Sequence, residues 1–286
     1  MSRFEAQPHE LLRPFVATYW GFAREYPKPE RIAITPDCFV ELLFFDAPPC
    51  VEAASGLRRM PACVVIPLLR EPLQIVASGF VRCAAVRLHA WAAGIVVPGE
   101  MPSNAVWGDA SPAFAPIASA LAEPLAREDW TRVAIRLDAA LLRVLRAAPA
   151  ASEKTRIAVR ALTSAPDQTD VASITKVAAG HGGSRRRLER AVRAATNHAP
   201  KQLASLRRFQ CVRDTLWADP GADLRALALD AGYADQAHLS RQFRRYAGQS
   251  PTAFKRDCER LRASLRSEDV AIVQDSAHAR GYDMQP

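Results

Sequence analysis

Two clusters of mainly polar side chains near the C-terminal end carry the chemistry that this sequence offers, and that chemistry is recognition. Arg185, Arg186, Glu189, Arg190 and Arg193 form one cluster; Gln236, Ala237, His238, Arg241 and Arg245 form the other. A guanidinium can hold guanine O6 and N7 through two hydrogen bonds, Gln can hold adenine N6 and N7 in the same way, and Ala can meet a thymine methyl. Arg near a helix start can instead bind phosphates, which positions a protein without reading bases. Glu189 either accepts from cytosine N4 or pairs with Arg185, Arg186 or Arg193. For each residue, spacing leaves base contact, phosphate contact and no contact open.

Catalytic chemistry finds no comparable grouping. The chain has no G-x-S-x-G, P-loop, dinucleotide fingerprint or H-E-x-x-H. Its histidines (His9, His89, His181, His198, His238, His278) are scattered. Cys38, Cys50, Cys63, Cys83, Cys211 and Cys258 show no compact ligand spacing. They read as reduced thiols of a cytosolic protein. No catalytic residue, metal site or cofactor is expected.

The elements that must position the two clusters are legible as a repeat. Leu224, Leu227 and Ala228 mark the buried side of a short helix, and Gly232 permits a tight exit. Asp235 can cap the next helix, whose inward stripe is Leu239 and Phe243. Upstream, Val177-Ala178, Gly182, Leu188, Arg190, Val192, Pro200 and Leu203 echo Leu227-Ala228, Gly232, Leu239, Arg241, Phe243, Pro251 and Phe254. The offset is 50 residues up to the glycine and 51 beyond it. An array needs at least about three copies, so two copies suggest a bipartite helix-turn-helix domain.

On Leu227-Ala228, Gly232-Tyr233, Asp235, His238-Leu239-Ser240-Arg241, Phe243 and Gly248-Gln249-Ser250-Pro251, the segment resembles the DNA-binding domain of the AraC/XylS family of bacterial transcription regulators. The resemblance covers roughly 153–266. It implies sequence-specific binding of double-stranded DNA in the cytoplasm, two reading helices in successive major-groove segments, and RNA polymerase as a partner if the protein activates. It also implies either a small-molecule effector or self-association through the N-terminal part; a scaffold that binds a protein partner is the alternative. Arg208 aligns with a family Arg and is expected to form an ion pair, with Asp214 or Asp230. His181 and Gly183 stand where the family is usually apolar, and Asn197 stands where the second copy has Gly248. The Gly182-Gly183 pair should loosen the first turn.

The rest of the chain sets the frame. With 286 residues, 49% hydrophobic and 24% charged, it has the composition of a globular protein of about two domains. The net charge is +8, yet 180–266 alone carries 18 Lys and Arg against 8 Asp and Glu, so the cationic excess lies in the repeat. No apolar run approaches the ~18 residues of a membrane span.

The fold class read from these patterns is α+β: a mainly β barrel-like or sandwich-like domain closed by helices, then seven helices with two helix-turn-helix units. Residues 8–20 suggest a short helix or edge strand. Two strands around Pro36-Asp37 occupy 31–45, and further strands are expected at 63–67, 73–77 and 81–88. Pro36-Asp37 with Val40-Glu41-Leu42 also resembles the N-terminal domain of one AraC branch. Stripes in 114–125 and 133–145 predict two helices that either cover the sheet or pair between subunits as a homodimer. Trp20, Trp91 and Trp107 either line a pocket or sit in the core. The expected divisions are 1–146, a linker at 147–152, a DNA-binding domain at 153–266 and a tail at 267–286. Its helices are expected at 154–164, 171–179, 184–195, 200–217, 221–231, 235–247 and 251–264.

Overall fold

The computed structural model describes residues 2–53, 56–97, 114–147, 153–164, 179 and 184–265. The expected linker (except Ala147), the tail, Trp107, the Gly182-Gly183 pair and the 171–179 helix (except Ala179) lie outside these residues.

The N-terminal half is an antiparallel sheet. Its strands are β1 (Ser2–Ala6), β2 (Val16–Ile34), β3 (Phe39–Ala47), β4 (Cys50–Ala53), β5 (Gly56–Arg59), β6 (Cys63–Ile66) and β7 (Leu73–His89). They pair in the order β1-β2-β7-β3-β6, with β4 joined to β5 and β7. Alternation along β3 and β7 builds two cores. Val40, Leu42, Phe44, Ala84, Val86 and Leu88 face the helices; Leu43, Phe45, Val81, Cys83 and Ala85 face a second cluster with Phe22 and Tyr26.

Two expectations are corrected. The runs at 73–77 and 81–88 are one strand, because Gly79 adopts φ 67° and carries the chain through the bend while pairing with Tyr26 continues. Residues 16–34 also form one strand, which joins the end of the 8–20 element to the first strand of the 31–45 pair. Its register shifts between Tyr26 and Glu30, around Pro27 and Pro29, which lack a ladder donor.

Among the described residues the helices are α1 (Ala93–Val96), α2 (Ala115–Ala126), α3 (Trp130–Ala147), α4 (Glu153–Ser164), α5 (Arg185–Thr196), α6 (Pro200–Ala218), α7 (Leu224–Asp230), α8 (Gln236–Ala247) and α9 (Pro251–Leu265). The stripes of α2 and α3 (Ile117, Leu121, Val133, Leu137, Leu141) are buried in the core beneath the sheet, so here they cover it. That core continues through Val159 and Leu162 of α4 into Leu203, Phe209 and Phe243. None of the described helices is long and apolar enough to cross a membrane. No group of three or more potential metal ligands occurs among the described residues.

Candidate nucleic-acid interface

The second unit is built by caps and one aromatic contact. Asp223 accepts from the backbone N–H groups of Arg225 and Ala226 at 3.2 and 3.1 Å and so starts α7 at Leu224, three residues later than the periodicity predicts. Gly232, at φ 73°, turns the chain, and the Tyr233 N–H closes on the Ala228 carbonyl at 2.8 Å. Asp235 then accepts from the His238 N–H at 2.6 Å and caps α8. Asp235→Ala is expected to cost about 1 kcal/mol, read as a lower urea midpoint at unchanged slope.

In α8 the expected stripe is buried: Leu239, Phe243 and also Tyr246. Gln236, Ala237, Arg241 and Arg245 are exposed, so these predicted residues share an accessible surface. His238 is half-buried, and its ring meets Tyr233 edge-on at 5.3 Å, which places it against the turn.

Of the first unit, α5 repeats the cap and the buried stripe. Ser184 accepts from the Arg187 N–H at 3.2 Å. Leu188 and Val192 are buried, while Arg185, Arg186, Arg190 and Arg193 are exposed. Glu189 pairs with Arg185 at 3.2 Å, one of the alternatives its sequence position left open. Asn197 ends the helix at φ 55°, in the left-handed conformation that Gly248 adopts at φ 72° in the second unit.

The long helix α6 joins the units. Leu203, Leu206, Phe209, Val212 and Leu216 are buried, as their spacing predicts. The Phe209 ring lies 5.1 Å from both Phe243 and Tyr246. Arg208 corrects an expectation: it makes no ion pair with Asp214 or Asp230. It donates to the Gly232 carbonyl at 2.9 Å and sits over the Tyr233 ring at 5.2 Å. The reason is geometric, because α6 packs beside the turn, whose carbonyl is the nearer acceptor. Asp214 pairs instead with Arg213 at 2.9 Å. Lys255 of α9 donates to Ala222 O at 2.8 Å and ties the last helix to the start of the unit.

Residues 177–257 match the family model described as a helix-turn-helix domain. The chain carries an AraC-type helix-turn-helix domain. No curated protein matches it. Among solved structures it is similar to ToxT from Vibrio cholerae, at 7% identity and TM-score 0.49, with 83% of this chain and 97% of that chain covered. It is similar also to ToxT from Vibrio cholerae O395 bound to (E)-4-(8-methylnaphthalen-1-yl)but-3-enoic acid, at 7% identity and TM-score 0.48, covering 84% and 99%. A third, ToxT bound to an unsaturated fatty acid, gives 8% identity and TM-score 0.46, covering 83% and 94%.

The helix-turn-helix domain is docked on the sheet through the turn before β3. The Cys38 N–H donates to Gln210 Oε1 of α6 at 3.1 Å, and Arg213 donates to the Pro36 carbonyl at 3.3 Å. Asp37 lies in this turn and receives Arg87 at 3.3 Å. Arg87 also holds Glu41, its direct cross-strand neighbour, at 2.6 Å, and the Trp20 indole donates to the other Glu41 oxygen at 3.1 Å. Burial pushes the Glu41 carboxyl up to about 7, with Arg87 pulling the other way.

The other side of Trp20 faces a cavity of about 50 Å³ in the second core, lined also by Phe22, Tyr26, Leu43, Met60 and Val81. Trp91 lies elsewhere, stacked on His89 at 4.2 Å with its indole donating to the Pro14 carbonyl. One of the three tryptophans thus lines the cavity, one does not, and Trp107 is outside the described residues.

Proposed function

We propose that the protein is a sequence-specific transcription regulator in which α5 and α8 enter successive major-groove segments of one DNA face. The observation that carries this reading is the pair of exposed, arginine-bearing helices on equivalent caps, joined by one buried connector. Arg186, Arg190 and Arg193 on α5, and Gln236, Ala237 and Arg241 on α8, are the residues offered to base edges and phosphates. Arg185, held by Glu189, and Arg245, whose guanidinium lies 5.7 Å from the Tyr246 ring, suit phosphate contacts. His238 supports the turn and presents one ring edge.

The N-terminal half, 1–146, acts as the regulatory part. Its second core accepts a small apolar molecule beside Trp20. A cavity of about 50 Å³ is far below the roughly 300 Å³ of a drug-sized site, so a larger effector has to part Trp20 and Met60.

In vitro selection of duplexes from a random pool with the full-length protein tests the DNA reading. Two boxes about ten base pairs apart are expected. Arg186→Ala should relax one box and Arg241→Ala the other, each by about 1–3 kcal/mol of discrimination. Unspecific binding that falls steeply with salt would overturn the two-reader reading.

A further inference from the structure

The C-termini of the two reading helices, at Asn197 and Gly248, are equivalent points of the repeat. Each is left-handed, and each closes its helix with an N–H donated four residues back, to Arg193 O and Arg244 O respectively. They lie at the opposite end of each helix from the N-terminal turn that meets bases in a helix-turn-helix complex. Both are reached by the same short loop of the N-terminal half, residues 67–72 between β6 and β7. Arg70 Nη2 donates to the Asn197 carbonyl at 2.8 Å. Pro72 lies against Gly248: its Cγ is 3.5 Å from the place a β-carbon on that glycine would occupy, which is ordinary van der Waals contact.

The loop is stiff and well anchored. Leu68 is buried in the core shared with the helices and Leu69 in the core on the other side of the sheet. Pro67 and Pro72 restrict φ at both ends. A guanidinium at the C-terminal cap of α5 is favoured by the helix dipole and by the charge it brings to its hydrogen bond with the Asn197 carbonyl. The two readers are therefore joined twice, by α6 between them and by this loop across their far ends.

We propose that loop 67–72 is a strut that sets the separation and angle of the two reading helices, with Arg70 as a positioning residue for the spacing of the two DNA boxes. The inference rests on the two-reader function proposed above. Two tethered readers gain affinity only where the tether presents both at once, and a stiffer tether narrows the spacings that satisfy this. Loosening the strut should thus weaken discrimination between spacings more than it weakens recognition of either box.

The test uses full-length protein, the selected two-box duplex, and duplexes with one base pair added or removed between the boxes. The wild type should prefer its own spacing by about tenfold or more, and Arg70→Ala with Pro72→Gly should compress that ratio to about two- or threefold. Each single box should be bound as before, and Arg70→Lys should restore part of the ratio. An unchanged ratio in the double variant overturns the strut. Hydrogen exchange without DNA gives a reading that does not depend on the two-box function. Arg70→Ala should speed exchange at the Gly248 cap, which it does not touch, and Pro72→Gly should do so at the Asn197 cap. Changes confined to the cap each residue touches would also overturn the proposal. Coupled caps in a protein that selects no two-box site would leave the strut standing and sink the DNA reading instead.

Discussion

Phe209→Ala is expected to destabilise the protein by about 3–5 kcal/mol. The ring is fully buried at the middle of α6 and touches Phe243 and Tyr246, the two aromatic anchors of α8. Phe243 in turn meets Phe254 of α9 edge-on at 5.4 Å. Removing the ring opens a cavity at a junction of three helices, where no single side chain can move in without leaving another gap. A domain is stable by only about 5–15 kcal/mol, so such a loss is a large share of the total. Urea unfolding followed by circular dichroism reads it directly, and DNA binding should fall with it. Phe209→Leu keeps much of the volume and should cost far less. A loss below about 1 kcal/mol for Phe209→Ala would mean that α8 is held chiefly by its caps and turn.

Arg87→Ala should be comparably damaging, but with a dependence on pH that Phe209→Ala lacks. It removes the cation that faces Glu41 and Asp37, both largely shielded from water. Breaking a buried pair from one side costs about 3–5 kcal/mol because the remaining charge is left without compensation. Glu41 titrates near 7 when folded, against an ordinary value of 4.5. A folded value above the unfolded one means that this group's stabilisation is complete below the unfolded value and is lost as pH rises through the folded one. Without Arg87 the folded value moves higher still, so near pH 5 Glu41 is neutral and the damage is softened, whereas near pH 8 more of it is felt. The penalty measured by urea unfolding should therefore grow between about pH 5 and about pH 8. Glu41→Gln together with Arg87→Met should recover much of the loss at the higher pH. Equal penalties at both values would show that lost packing, rather than the stranded carboxylate, dominates.

The helix-turn-helix region was the more legible part of this protein, and the reason is locality. Leu239 with Phe243, and Leu188 with Val192, are buried at the spacing that marks them. Asp235 and Ser184 cap the helices they precede. The connector stripe from Leu203 to Leu216 is inward along its length. Each of these follows from contacts within about a turn or two of helix. Asp223 also carried a local signal, an acidic residue directly before Leu224, and the periodicity read past it.

What the sequence could not decide were partners chosen by docking and by strand register. Arg208 has one candidate carboxylate further along its own helix, Asp214, and another at the end of α7, Asp230, yet takes the Gly232 carbonyl because α6 lies beside that turn. Glu41 and Arg87 are 46 residues apart and meet only because β3 and β7 pair in one register, since a slip of one residue would send them to opposite faces. Gly79 reads as a break in sequence, but the pairing partner across from it makes it a bend within one strand. Arg70 is an unremarkable surface arginine until the sheet is placed against the C-terminus of α5. The sequence by itself determined the two arginine-bearing helices, their caps and the helix between them, because those depend on neighbours three or four residues away. Only the tertiary structure decided how the sheet grips them, because that depends on side chains more than a hundred residues apart meeting at one interface.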